Sequence, residues 1–331
     1  MDQAETLRNI GGQWLQADAS LPLNSDEDEA TSEAVSSSGV VSSQEEAQSM
    51  IAETGEEAAT IARVFSVTSG KGGMGKTNIV ANLAVSFAKL GKRVLILDAD
   101  LALGNIDVLL GVLPKFTLED ALYGGKALAE IIIEGPCGVR ILPTGSGTEG
   151  MAELSSEQKM NLFSQLDQLE KSFDIFLIDT AAGISSNVLY FNAAAQEIIV
   201  VASSEPTSLT DAYAVIKVLS KKYQEKRFRL LVNMVHSEAE SMGVFRRLTM
   251  VADRYLNVAI DYVGYVPYDD YLKIAVSRQR AVVDLYPDAK ASRSFTHIAQ
   301  QMLQWPIDPH PKGAAKFFWR TLLASAPATG A

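Results

Sequence analysis

The residues best equipped for chemistry in this 331-residue chain are eight in a row, Gly70-Lys71-Gly72-Gly73-Met74-Gly75-Lys76-Thr77. Their spacing is G-x-x-x-x-G-K-[ST] without exception. Glycines let successive backbone N–H groups wrap phosphate oxygens, and a helix starting at the end of the loop adds a favourable dipole. Lys76 is then placed to neutralise the β- and γ-phosphates of ATP, and the Thr77 hydroxyl to coordinate Mg²⁺. A chance glycine-rich turn could carry similar letters. Here the motif follows an apolar run, Val64–Thr68, and precedes a helix predicted from Asn78 to Leu90, which is the context the chemistry requires.

Carboxylates lie where such a site would need them. Val94-Leu95-Ile96-Leu97 ends in Asp98-Ala99-Asp100, and Phe176-Leu177-Ile178 ends in Asp179-Thr180-Ala181-Ala182-Gly183. In α/β sheets, ligands gather at the C-terminal ends of strands. Asp100 is expected to orient the attacking water, Asp98 to support the magnesium shell, and Asp179 to hold Mg²⁺ through water. Gly183 permits a turn that senses the γ-phosphate. Either carboxylate alone could be an ordinary helix cap; two of them with a phosphate loop read as a hydrolytic site.

The elements that must position these groups are legible as well. Val64–Thr68, Val94–Asp98, Val139–Leu142, Ile175–Asp179, Ile198–Ala202, Leu230–Asn233 and Tyr262–Val266 are short apolar runs, rich in Val, Ile and Leu. Such runs are buried on both faces. Amphipathic stretches intervene after Lys76, through Leu162–Leu169 and through Asp211–Leu219. The alternation predicts an α/β fold with a mainly parallel, doubly wound sheet. No internal repeat is visible.

Composition narrows the class. The net charge is −11, but residues 1–62 hold thirteen acidic side chains and one basic one, Arg8, whereas the remainder holds 28 Lys/Arg against 27 Asp/Glu. Residues 17–62, rich in Ser, Glu, Asp and Ala, read as a disordered linker. A nearly neutral remainder argues against nucleic acid as a partner. The single cysteine, Cys137, excludes a disulfide framework and a clustered-thiolate metal site, and His236, His297 and His310 have no metal-ligand spacing. The acidic N-terminus is not a secretory signal, and the run Ile198–Ala202 is too short to span a bilayer. The expected location is cytoplasmic.

Several phrases together are specific. Val67–Gly111, Asp179–Ile184 (DTAAGI), Glu205–Lys217 (EPTSLTDAYAVIK) and Gly264–Tyr268 (GYVPY) resemble the FlhG/FleN flagellar-number regulators, relatives of the division-site protein MinD. The likeness runs from about Arg63 to the C-terminus and implies a P-loop NTPase of the deviant Walker A (MinD/ParA) type at 63–305. It implies a slow, Mg²⁺-dependent ATPase that dimerises on ATP. In the proteins it resembles, the lysine at the position of Lys71 reaches across the dimer to the partner's phosphates, like an arginine finger; a solvated surface lysine is the plainer reading. Asn233, Pro267 and Tyr268 would embrace adenine. Two departures, Met74 for the more common valine and Leu101–Asn105 for smaller residues, leave the chemistry unaffected.

The ends of the chain point the same way. Asp2, Gln3, Ala4, Leu7 and Arg8, within residues 1–16, form the DQAxxLR motif by which this family is thought to stimulate FlhF, a GTPase of the signal-recognition-particle type. A tether of some 50 residues reaches roughly 40 Å. At the other end, within 306–331, Lys312, Lys316 and Arg320 form a basic stripe beside Phe317, Phe318, Trp319, Leu322 and Leu323. That pattern reads as an amphipathic helix binding membrane lipid reversibly at the inner face of the cytoplasmic membrane, against the alternative of a helix packed on the core. The resemblance extends the partners to flagellar C-ring proteins and a flagellar transcription regulator. Rival readings are a DNA-partition ATPase, a MinD-type division regulator, and a non-enzymatic anti-activator.

Overall fold

The computed structural model describes residues 62–100, 104–144, 165, 169 and 172–306. The N-terminal motif, the acidic linker, the C-terminal basic helix and most of the helix expected at 162–169 fall outside them. In chain order, β1 (Arg63–Thr68) leads through the glycine loop into α1 (Lys76–Lys89) and β2 (Val94–Ala99). The short α2 (Ile106–Leu109), α3 (Leu118–Leu122) and α4 (Leu128–Ile131) precede β3 (Ile133–Glu134) and β4 (Arg140–Leu142). Then come β5 (Ile175–Thr180), α5 (Ser186–Ala194), β6 (Glu197–Ala202), α6 (Pro206–Tyr223) and β7 (Arg227–Val235). The chain continues through α7 (Glu238–Tyr255), β8 (Ala259–Pro267), α8 (Asp270–Ser277), α9 (Val282–Leu285) and α10 (Lys290–Gln304).

The strands form one sheet in the order β3-β4-β2-β5-β1-β6-β7-β8, parallel throughout except for β3 against β4. This is the parallel α/β sheet expected, with a two-residue antiparallel edge too short to leave a sequence signature. β1, β2 and β5 are buried at every position. Alternate side chains point to opposite faces, so each strand feeds two cores. Phe65, Ile96 and Leu177 join one face with Leu83 and Phe87 of α1 and Phe295 and Ile298 of α10. Val64, Leu95 and Phe176 join the other with Leu118, Leu128 and Phe191. Truncating Phe65, which is fully buried, would cost about 3–5 kcal/mol.

Helices α7 and α10 have no counterpart among the stretches expected above, yet both carry local signals. Ser237 accepts from the Glu240 N–H while Glu240 accepts from the His236 N–H, a reciprocal arrangement at the start of α7. In α10, Ala291, Phe295, Ile298 and Met302 recur on one buried face. At the end of the sheet away from the glycine loop, Arg229 is held by Glu197 at 3.0 Å and Asp261 at 2.8 Å and lies over the Trp305 ring. Arg63 donates to the Met302 carbonyl at 2.8 Å. These contacts tie the last turn of α10 to β1 and β7. No described helix is long and apolar enough to cross a membrane.

Candidate functional site

Topology assembles what the sequence holds far apart. β5 pairs with both β1 and β2, placing Val67 opposite Asp179 and Asp98 opposite Asp179. The loop leaving β1 therefore ends beside both acidic strand ends. Within the loop, Gly73 and Gly75 adopt left-handed φ of 78° and 79°. Gly70 answers a different demand. A Cβ there would lie 2.2 Å from the Asp211 carbonyl oxygen of α6, so helix and loop touch backbone to backbone.

α6 explains the narrow EPTSLTDAY phrase. Pro206 opens the helix, where its missing N–H costs nothing. The Ser208 hydroxyl donates to the Met74 sulfur at 3.2 Å and accepts the Ser203 N–H at 2.9 Å. Met74 is buried, its carbonyl accepting from the Asn233 amide at 2.8 Å. The Asn233 side-chain Oδ1 accepts the Met234 N–H at 2.9 Å. The side chain of Asn233 thus braces the phosphate loop from β7, a role the sequence did not reveal. Pro267 ends β8, and Tyr268 stands exposed beside it, 5.6 Å from the His236 ring and beneath Lys273.

Lys76 is buried, its Nζ 3.0 Å from the Ser69 hydroxyl. Burial lowers its pKa, while Asp179 and Asp100 pull it back up. Asp179 is 2% exposed, hydrogen-bonds the Thr77 side chain, and leaves Oδ1 with no hydrogen-bond partner. Burial first, then the nearby Asp98, pushes its carboxyl up to about 7. A buried, orphaned carboxylate oxygen beside a threonine hydroxyl is the hard-donor set that Mg²⁺ takes, with waters and phosphate completing its octahedron.

Asp98 is tied to the backbone at both carboxylate oxygens. Its Oδ1 accepts the Asp100 N–H at 3.1 Å and its Oδ2 the Ile106 N–H at 3.3 Å. These bonds let Asp98 shape the segment carrying Asp100. Burial raises its carboxyl to about 6. Gly183 has φ 95°, and its N–H donates to the Ser69 carbonyl at 2.9 Å, drawing the turn after β5 against the loop. Asn78 follows Thr77 in the first turn of α1 and accepts, through its carbonyl, the Asn82 amide at 2.8 Å.

Lys71 does not project freely. Its Nζ lies 2.9 Å from Glu205 and 3.4 Å from the Thr207 hydroxyl of its own chain. Both members of the ion pair are about half exposed, so it contributes only about 0–1 kcal/mol. Gly72, by contrast, lies on the open side of the loop, where a Cβ would meet nothing within 4 Å. Glu205 and Thr207 were missed as site residues because a pairing across 134 residues leaves no local mark.

Comparison with known proteins agrees with this geometry. The family profile described as "AAA domain" matches residues 62–232. The chain is 47% identical over 268 residues to the antiactivator FleN of Pseudomonas aeruginosa, covering 81% of this chain and 95% of that protein. It is 34% identical to the flagellum site-determining protein YlxH of Helicobacter pylori, covering 79% and 90%. Among solved structures, the cell division ATPase MinD of Pyrococcus furiosus is similar at 25% identity and TM-score 0.61, covering 73% of this chain and 99% of that one. MinD of Pyrococcus horikoshii, in complex with Mg-ADP, is similar at 27% identity and TM-score 0.60, covering 73% and 96%. With a phosphate loop braced by β7 and α6 and an orphaned carboxylate oxygen at its base, the chain belongs to the FlhG/FleN flagellar-number regulator family of MinD-like, deviant Walker A ATPases.

Proposed function

We propose that this chain is an ATP-dependent dimerising switch ATPase that regulates flagellar number and placement. The observation that carries the reading is the buried Asp179 Oδ1, without a hydrogen-bond partner, beside Thr77 and within electrostatic reach of Lys76. Such a pocket is costly in the free protein and relieved by a metal–phosphate ligand. Backbone N–H groups of Gly72 to Lys76 hold the phosphates, and Lys76 and Lys71 supply positive charge. Bound Mg²⁺, held by Thr77 and by Asp179 through water, would neutralise charge on the phosphate oxygens. Asp100, anchored through its N–H to Asp98, orients the attacking water. Asn233, Pro267 and Tyr268 border the adenine.

Lys71 belongs to the dimer. Exchanging its Glu205 partner for the phosphates of a second copy ties dimerisation to ATP. The outputs follow the chain ends: Asp2 to Arg8 stimulate an FlhF-type GTPase, and the helix containing Phe318 and Trp319 engages lipid when two copies combine their weak affinities. A role in restraining a transcription regulator is compatible with this, and the name of the Pseudomonas relative supports it.

Sizing chromatography with Mg-ATP tests the switch. Asp100→Ala should bind ATP, fail to hydrolyse it and accumulate as dimer; Lys76→Gln should not bind and should stay monomeric. An Asp100→Ala protein that binds ATP yet remains monomeric would overturn the assignment of that aspartate.

A further inference from the structure

Among the described residues, β8 pairs with β7 alone and ends the sheet. Beside it runs a groove of about 550 Å³. β8 from Tyr262 to Pro267 lines one side, and α10 from Lys290 to Gln301 lines the other. It meets the proposed nucleotide site only at Pro267 and otherwise extends away from it along the strand.

The charge of this groove is one-sided. Lys290, Arg293 and His297 stand exposed on the α10 wall, and His236 lies at the end nearest the β7–α7 turn. Among the described residues neither Lys290 nor Arg293 has an ion-pair partner, and Glu238 is the one carboxylate lining the groove. Cations near an open edge often serve only to repel other strands. Two features go further. The cations line a concavity rather than the strand itself, and two half-buried tyrosines, Tyr262 and Tyr265, line the same concavity, Tyr262 with its hydroxyl on Ser241 and its ring against Phe245. Between them in the chain Gly264 has φ 138°, and a Cβ there would press on Ile298 at 3.2 Å. The missing Cβ thus lets α10 pack closely on β8 along this wall of the groove.

We propose that this groove docks an extended acidic segment of a partner protein. Its main chain runs along β8, its carboxylates face Lys290 and Arg293, and its apolar side chains rest against the exposed parts of the two tyrosines. Tyr262 to Pro267 spans about 17 Å at roughly 3.3 Å per residue, enough for five or six extended residues. Charge complementarity selects an acidic occupant, since a basic segment would be repelled. Carboxylate–guanidinium contacts at a rim also make the association fall with salt.

The test uses the full chain and a fluorescein-labelled peptide of about ten residues alternating Asp or Glu with Val and Thr. Anisotropy is read at about 50 and 300 mM NaCl, across the range where screening changes most. Saturable binding is expected, weakened about tenfold or more when Lys290→Glu and Arg293→Glu are combined, each lost rim contact being worth roughly 1 kcal/mol. Gln301→Glu, which adds a carboxylate to an exposed groove position without removing any contact, should weaken it in the same direction. Lys115→Glu, before α3, should leave binding within about threefold, as expected of a charge beyond a Debye length, and the groove variants should bind ATP normally. Equal binding by the double variant, equal loss with Lys115→Glu, or equal binding of a lysine version of the peptide would overturn the proposal. A change of self-association on charge reversal would overturn it too, assigning the groove to a second copy.

Discussion

Replacing Asp179 by Asn should stabilise the nucleotide-free protein at alkaline pH while abolishing its response to Mg-ATP. The Asp179 carboxyl is raised from 3.8 to about 7 by burial and by Asp98. Its folded pKa is above its unfolded one, so the folded state binds this proton more tightly. The group's contribution to stability is complete below about pH 4, declines as pH rises, and is lost above about pH 7. A shift of about three units corresponds to roughly 4 kcal/mol between the extremes. Asn never ionises and avoids that loss, but puts an NH₂ or C=O where Oδ1 has no partner, at about 1–3 kcal/mol. The variant should therefore gain roughly 1–3 kcal/mol at pH 8, or about 2–10 °C in Tm for a domain of this size. At pH 5 the wild-type carboxyl is already mostly protonated, so the variant should be neutral or slightly less stable. Thermal melts in chelator at both pH values read this directly, and adding Mg-ATP should raise the wild-type Tm but not the variant's. A difference independent of pH would mean that Asp179 is ionised at no cost in the free protein, and the pocket would not be primed for a metal.

Three further outcomes follow from the same structure. Gly70→Ala drives a Cβ against the Asp211 carbonyl oxygen, so α6 must shift; overpacking of this kind costs about 1–3 kcal/mol, and nucleotide titration should register at least a tenfold loss of ATP affinity. Deleting residues 1–16 should leave ATP turnover and dimerisation intact but remove stimulation of an FlhF-type GTPase, and equal GTP turnover with both proteins would refute the role of Asp2 to Arg8. Phe318→Glu should abolish ATP-dependent sedimentation with anionic liposomes, whereas equal pelleting of wild type with ATP, ADP and a non-hydrolysable analogue would exclude a nucleotide switch at the membrane.

The phosphate loop was legible because its chemistry is local: eight consecutive residues, an apolar run before them and a helix after them. The parallel sheet was legible for a related reason. Strands buried on both faces must be largely apolar: β2 and β5 are apolar up to their aspartates, and β1 carries Val64, Phe65 and Val67. The short β3 left no mark because two residues cannot establish a period. Pairings remote in sequence were hidden. Nothing near Asn233 says that its amide will hold the Met74 carbonyl, since that bond depends on β7 lying two strands from β1. Glu205 likewise meets Lys71 only because α6 packs against Gly70. Asp98 and Asp179 looked alike as acidic strand ends. Tertiary structure divided them: backbone N–H groups engage both oxygens of Asp98 and leave Oδ1 of Asp179 bare. Residue type thus determined which groups could do chemistry, and strand order decided which of them met and which stayed free to act.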